Sequence, residues 1–376
     1  MFAVTIDSDE AGMALALAWA AKGMYTTTPN PRVGCVIARD GKLLAAGFTQ
    51  PAGQAHAEVD ALRAAARDGV DVRGATAFVT LEPCSHHGRT PPCTDALIAA
   101  GIGRVVAAIT DPNPLVAGAG LQKLKAAGIE TRCDVLADAA REMNIGFFSR
   151  MQRGRPWVRM KSAASLDGQS ALADGRSQWI TSPIARADGH AWRARACAIL
   201  TGIGTVVEDD PQLTVREVAT PRQPQRIVVD SHLQIDSHAR VLAGGGTLIV
   251  AADADPEKAA RLRAAGCEVL LLANASGKVD LPALLQELGR RGVNELHVEA
   301  GAKLNGSLIR ENCVDELLLY MAPMLLGAGR GMFALDAPAD LSQARRLALH
   351  AVRQIGPDVR ILARFDGAGQ GDGPPG

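Results

Sequence analysis

The sequence predicts an α/β fold made of two consecutive domains. Three observations carry this reading. The 376 residues are enough for two ordinary cores. Apolar runs of strand length alternate with helix-period segments along most of the chain. A basic, breaker-rich stretch interrupts that alternation near residue 150.

The elements follow in order. A helix is expected from Met13 to Ala21, with Ser8 as its N-cap and Gly23 as its stop. The acidic residues before it, Asp7, Asp9 and Glu10, stand where a signal peptide would be basic. From Val33 to Phe48 two apolar runs flank Asp40-Gly41, a strong hairpin signal. A helix at Ala57 to Asp68, a strand at Ala75 to Thr80 and a helix at Thr94 to Ala100 come next. A strand at Val105 to Ile109, a helix at Ala119 to Ala127, a strand at Ile129 to Cys133 and a helix at Asp138 to Phe148 complete the first half. Ser149 to Pro156 breaks the pattern, which assigns one domain to 1–150 and a second to 151–366. The second has strands at Trp157 to Ala163, Ala198 to Thr201, Arg226 to Asp230, Thr247 to Ala251, Glu268 to Leu272, Glu295 to Glu299 and Glu316 to Tyr320. Helices at Pro183 to Arg195 and Pro282 to Arg291 lie between them, and the Gly- and Pro-rich tail 367–376 is expected to be disordered.

Composition narrows the function classes. Forty basic residues balance 40 acidic ones, so no net field draws nucleic acid or an anionic membrane, and a small molecule is the expected partner. Seven scattered cysteines, an odd number, suit a reducing compartment rather than a disulfide framework. No run is long and apolar enough to span a bilayer, and a cytoplasmic location is expected.

One constellation carries chemistry. His56-Ala57-Glu58 sits where a Gly-containing loop enters a helix, and Glu82-Pro83-Cys84 and Pro91-Pro92-Cys93 follow a strand and open another helix. One imidazole and two thiolates are a standard catalytic zinc set with a fourth position left for water. The metal lowers the pKa of that water, and a carboxylate that is not a ligand can pass the proton to a leaving amine, a role that fits Glu58. His-x-Glu followed by Pro-Cys is the signature of zinc nucleobase deaminases, although eight residues separate the cysteines here instead of two. The inserted His86 and His87 are alternative ligands on this reading. Two other functions fit the same residues: a nucleic-acid-editing deaminase with an appended binding domain, and a non-catalytic zinc module. Balanced charge and only four Trp, two Tyr and seven Phe speak against the first, and a three-ligand set against the second.

The wider sequence resembles the bifunctional riboflavin-biosynthesis deaminase/reductase family. The resemblance rests on Thr28-Pro29-Asn30-Pro31-Arg32-Val33-Gly34, His56-Ala57-Glu58 and the segment Leu81 to Cys93, and the long cysteine spacing is normal in that family. It continues through Lys161 to Gly168, Ser177 to Thr181, Asp209 to Arg216 and Val298 to Gly301, so it covers the chain to about Phe365. It implies a cytidine-deaminase-like three-layer α/β/α domain, then a dihydrofolate-reductase-like α/β domain that uses NADPH. On this resemblance His56, Cys84 and Cys93 hold Zn2+, Glu58 is catalytic, and His86, His87 and Arg89 belong to a substrate loop. Ala163, Trp179, Thr205, Asp209, Ser231, Gly301, Ala302, Lys303, Leu304, Asn305, Gly306 and Ser307 would line the NADPH site. Ser177, Arg193, Leu213, Arg216 and Glu299 would hold the substrate, a pyrimidine ribose phosphate, with Asn30 placing the ring in the deaminase. Lys161 and Asp167 are candidate acids for the reduction, and an oligomer of identical chains is expected. The residues suit these roles: arginine forks grip phosphate, and Glu299 to Lys303 follows a strand and opens a helix whose amides can receive a dinucleotide phosphate. There is no Gly-x-Gly-x-x-Gly fingerprint, and Ala302 stands where the family usually has proline.

Overall fold

The computed structural model describes residues 5–86, 91–114 and 116–367. His87 and Arg89, assigned to the substrate loop, lie outside them, as does the tail beyond residue 367. The chain divides into two compact units, 1–153 and 154–376.

The first unit runs α1 (Asp9–Ala20), β1 (Gly34–Arg39), β2 (Lys42–Phe48), α2 (Ala57–Arg67), β3 (Thr76–Val79), α3 (Cys93–Ala99), β4 (Arg104–Ala107), α4 (Ala119–Ala126), β5 (Glu130–Arg132), α5 (Ala137–Met143) and α6 (Ile145–Arg153). Ser8 caps α1, its side chain accepting from the Ala11 N–H at 3.1 Å. Asp40 and Gly41, at φ 51° and 73°, make the primed turn that the Asp-Gly pair demands between β1 and β2. The sheet order is β2-β1-β3-β4-β5, with β1 antiparallel to both neighbours and β3, β4 and β5 parallel. β1 is buried on both faces, so helices cover the sheet on both sides and three layers result. The fit is close: a Cβ on Gly34 would stand 1.9 Å from the Ala16 carbonyl oxygen of α1.

Two expectations need correction here. The last helix breaks at Asn144 into α5 and α6, because the buried Asn144 amide bonds the backbone of Arg32 in both directions, at 2.7 and 2.9 Å. Ser149 to Arg153, read as an interruption, continues α6: Arg150 and Arg153 sit in its last turn, where cations favour the helix dipole.

The second unit runs β6 (Trp157–Ser165), β7 (Gln169–Ala171), α7 (Pro183–Arg195), β8 (Ala198–Gly202), α8 (Ile203–Asp209), β9 (Gln225–Val229), β10 (Leu248–Ala251), α9 (Pro256–Ala264), β11 (Glu268–Leu271), α10 (Leu281–Arg290), β12 (Glu295–Val298), α11 (Ala302–Arg310), β13 (Glu316–Ala322), β14 (Arg330–Gly331), β15 (Leu347–Ile355) and β16 (Asp358–Phe365). Its sheet has the order β11-β10-β9-β8-β12-β6-β13-β16-β15, parallel from β11 to β13 and closed by the antiparallel β16 and β15. Val158, Met160, Leu296 and Val298 pack into an apolar core with α10 and α11. The alternate residues of β6 and β12 are ionic. Arg159, 1% exposed, bonds Glu295 at 2.9 Å and Glu316 at 2.5 Å, and Arg195 and Arg364 add outer partners to the two carboxylates.

Candidate active sites

In the first unit, loop and helix starts converge on one point. His56 is the N-cap residue of α2, and Glu58, 3% exposed, lies in its first turn. Cys84 follows β3, and Cys93 is the first residue of α3. The side-chain donor atoms of His56, Cys84 and Cys93 all lie within 4.8 Å of one another. His56 Nδ1 is 3.7 Å from Cys84 Sγ and 3.3 Å from Cys93 Sγ. Tetrahedral zinc with ordinary bond lengths needs about 3.5 Å between a nitrogen and a sulfur ligand. The donor set therefore fits zinc in both chemistry and spacing. His86 is exposed and outside this cluster.

The electrostatics suit a thiolate site. The Cys93 thiol and His56 donate toward Cys84 Sγ, as does the Cys93 backbone N–H at 3.3 Å, and they hold Cys84 down to about 4. The Cys84 thiolate, with burial, pushes the Cys93 thiol up, and Cys84 also raises the pKa of His56. Burial first, and the Cys84 charge second, push the Glu58 carboxyl up to about 7, where a group gives and takes protons readily at neutral pH.

Two acidic residues of this region were not recognised as functional from sequence. Glu82, 3% exposed, accepts four backbone N–H groups, from Asp111, Gly118, Gly120 and Leu121, at 2.8 to 3.2 Å, and so pins the loop after β4 beside Cys84. Asp111, pushed up to about 6 by burial and by Glu82 and Cys84, accepts from the Asn113 N–H in an Asx turn. The Asp-Pro-Asn-Pro run after a strand was its only signal.

In the second unit the assigned residues gather at the carboxyl edge of the parallel strands, where α/β sheets bind ligands. Ala163 is near the end of β6, Thr205 and Asp209 are on α8, Ser231 follows β9, and Glu299 follows β12. Gly301 is the N-cap of α11, and Ala302 to Ser307 form its first turns. A Cβ on Gly301 would lie 3.6 Å from Thr205 Oγ1, and one on Gly202 3.0 Å from Leu304, so the starts of α8 and α11 stand side by side. Ala302 at the first helical position keeps the N–H that proline would lack. Ser177 and Trp179 lie on the loop 172–182, where Trp179 is 66% exposed beneath the Arg186 guanidinium, and Gln178 of this loop bonds Asp209.

Arg193, at the end of α7, forks onto Glu299 at 2.5 and 2.8 Å and donates to the Thr214 carbonyl at 3.0 Å. Leu213 is buried, while Arg216 is exposed and reaches Gln212 and Thr214. Of the two candidate acids, Asp167 is engaged: it accepts from Ser165 Oγ and from the Leu326 and Gly327 N–H groups. Lys161 on β6 is the freer one. Burial lowers its pKa, and Glu299 partly restores it.

His190 of α7 accepts the Arg216 backbone N–H at 3.2 Å, and burial, then Arg193 and Arg216, hold its pKa down to about 4. A depressed folded-state pKa means that the unfolded chain binds the proton first. The stability contributed by neutral His190 is complete above about pH 6.5, the ordinary histidine value, and is lost as pH falls toward 4. Urea midpoints of a His190→Gln variant are therefore expected to change less between pH 7 and 4.5 than those of the unaltered protein.

Comparison with known proteins agrees with this division. Residues 6–109 match the cytidine and deoxycytidylate deaminase zinc-binding region, and residues 156–361 match the RibD C-terminal domain. The riboflavin biosynthesis protein RibD of Escherichia coli is 46% identical over 364 residues, covering 93% of this chain and 98% of that protein. RibD of Aquifex aeolicus is 40% identical, with 94% and 98% covered. An Acinetobacter baumannii RibD structure superposes with a TM-score of 0.86 at 40% identity, covering 95% of this chain and 98% of that one. A Thermotoga maritima diaminohydroxyphosphoribosylaminopyrimidine deaminase/5-amino-6-(5-phosphoribosylamino)uracil reductase does so with 0.84 at 32% identity and the same coverage. The chain thus belongs to the RibD family, bifunctional enzymes of riboflavin biosynthesis in which a zinc-dependent deaminase precedes an NADPH-dependent reductase.

Proposed function

We propose that 1–150 removes the 2-amino group of 2,5-diamino-6-ribosylamino-4(3H)-pyrimidinone 5′-phosphate, and that 151–366 then reduces the ribosyl group of the product to ribityl. The observation that carries this is the three-donor cluster of His56, Cys84 and Cys93 with buried Glu58 beside it. When bound, zinc supplies a Lewis acid that makes water acidic near neutral pH. His56, Cys84 and Cys93 hold the ion, Glu58 carries a proton from water to the departing amine, and Asn30 orients the pyrimidine.

In the reductase half, bound NADPH supplies the hydride for C1′. The amides at the start of α11 receive its pyrophosphate. Ala163, Trp179, Thr205, Asp209, Ser231 and Gly301 to Ser307 surround the cofactor. Arg193 and Arg216 grip the substrate phosphate with their guanidinium forks. Ser177, Leu213 and Glu299 hold the sugar and ring, and Lys161, half-buried in the field of Glu299, donates the proton that opens the sugar.

No nucleic acid is involved, since charge is balanced and stacking residues are scarce. Self-association occurs through β15, a nine-residue edge strand with Leu349 70% and Val352 56% exposed, the kind of edge that pairs with another. The seven free cysteines suit the cytoplasm. Zinc-loaded protein given the diamino substrate should oxidise NADPH. A Cys84→Ala variant should do so only with the deaminated intermediate. Equal oxidation of NADPH by that variant with the diamino substrate would exclude the sequential scheme.

A further inference from the structure

His297 of β12 has no role in the scheme above. Strand alternation puts Leu296 and Val298 in the apolar core and Glu295, His297 and then Glu299 on the opposite, ionic face. The imidazole is wholly buried, with its side chain 0% exposed, and neither ring nitrogen has a hydrogen-bond partner among the described residues. An interior imidazole left in that state loses its water without replacement, which is costly. Burial is the largest influence and lowers its pKa, as do Arg193 and Arg159, against the opposing pull of the Glu299 carboxylate; the neutral ring carries a single N–H. Arg159, its register partner on β6, is committed to Glu295 and Glu316. One acceptor is within reach: Nε2 lies 3.3 Å from Glu299 Oε1, close enough for a hydrogen bond but not aligned for one.

The missing alignment has a cause on the page. Both Glu299 oxygens are turned to the Arg193 fork. A phosphate drawn to Arg193 competes for that fork, and a carboxylate freed from it needs another donor to stay in place. We infer that His297 is a positioning residue, whose Nε2–H takes over Glu299 when substrate engages Arg193 and keeps its carboxylate turned to the sugar. This rests on the reading of Glu299 and Arg193 as substrate-holding groups.

Steady-state reduction of the deaminated intermediate by the full chain tests it, with His297→Leu, His297→Gln and Glu299→Gln compared. The leucine variant should raise KM for the intermediate about tenfold, the scale of one hydrogen bond to a charged group, with kcat, KM for NADPH and deamination nearly unchanged. Glutamine, whose Nε2 can donate from nearly the same place, should restore KM to within about twofold if a donor is what the position supplies. A folded leucine variant with unaltered KM overturns the inference, as does a glutamine variant as impaired as leucine. Should leucine fail to fold, His297→Met, which fills the space without a donor, takes its place: it should raise KM about tenfold alone and add nothing to Glu299→Gln in the double variant if His297 acts through Glu299, and independent effects overturn the inference. If Glu299→Gln itself leaves KM unchanged, the substrate-holding reading falls and takes this inference with it. If Glu299→Gln raises KM and His297→Leu does not, only the inference falls.

Discussion

Replacing Glu58 by glutamine should lower deamination by about 10²- to 10⁴-fold, the usual contribution of a positioned acid–base group, while zinc content and reduction of the deaminated intermediate stay at their original values. The reason is specific to proton transfer. Glutamine matches the shape of the glutamate and can stay packed in the first turn of α2, where the carboxyl is 3% exposed. His56, Cys84 and Cys93, the donors within 4.8 Å of one another, are untouched. What is lost is a group that takes a proton and returns it, and burial has set the carboxyl near pH 7 for that work. Metal analysis and separate assays of the two half-reactions read the result. Retained zinc with undiminished deamination would remove Glu58 from the chemistry.

The second large effect is on stability. An Arg159→Leu variant should lose about 3–5 kcal/mol in the second unit, the usual penalty for stripping one partner from a buried ionic group. Glu295 and Glu316 are 0% and 1% exposed, and Arg159 lies between them with its guanidinium 4.4 Å from the Trp192 ring. Arg195 and Arg364 remain on the outer side, 15% and 21% exposed, and cannot fill the gap left at the centre. Urea unfolding followed by tryptophan emission reads this directly. The triple replacement of Arg159, Glu295 and Glu316 by leucines should recover part of the loss, because no buried carboxylate is then short of a partner, while Arg195 and Arg364, 15% and 21% exposed, give up these carboxylates nearer to water. A single variant within 1 kcal/mol of the parent would mean that the outer arginines carry the carboxylates alone.

Local order was legible wherever a side chain acts on its own backbone. Ser8 announces α1, Asp40-Gly41 announces the β1–β2 turn, and the apolar runs mark the parallel strands. The metal set was legible because zinc demands a few residue types near strand ends and helix starts. Contacts made across long sequence separations were not. Asn144 splits a helix by bonding Arg32, more than a hundred residues earlier, and nothing near Asn144 signals it. The ionic face has the same character: Arg159, Glu295 and Glu316 each look like surface charges until β6, β12 and β13 lie side by side. The β15–β16 hairpin escaped for another reason. Its residues from Leu347 are mostly exposed, so burial imposes no regular alternation on them.

Glu82 has a bearing on how such enzymes diversify. It grips only main-chain amides of the loop between Asp111 and Leu121, and the one strict demand at its contact points is for glycine, at Gly118 with φ 87° and at Gly120, where a Cβ would stand 2.0 Å from the Pro83 carbonyl oxygen. A clamp of this kind fixes the path of a segment while leaving most of its letters open to drift. Residues of that loop other than its glycines can then be exchanged one at a time while the clamp holds the backbone in place. The surface beside Cys84 can thus change long before the metal ligands or the sheet are touched.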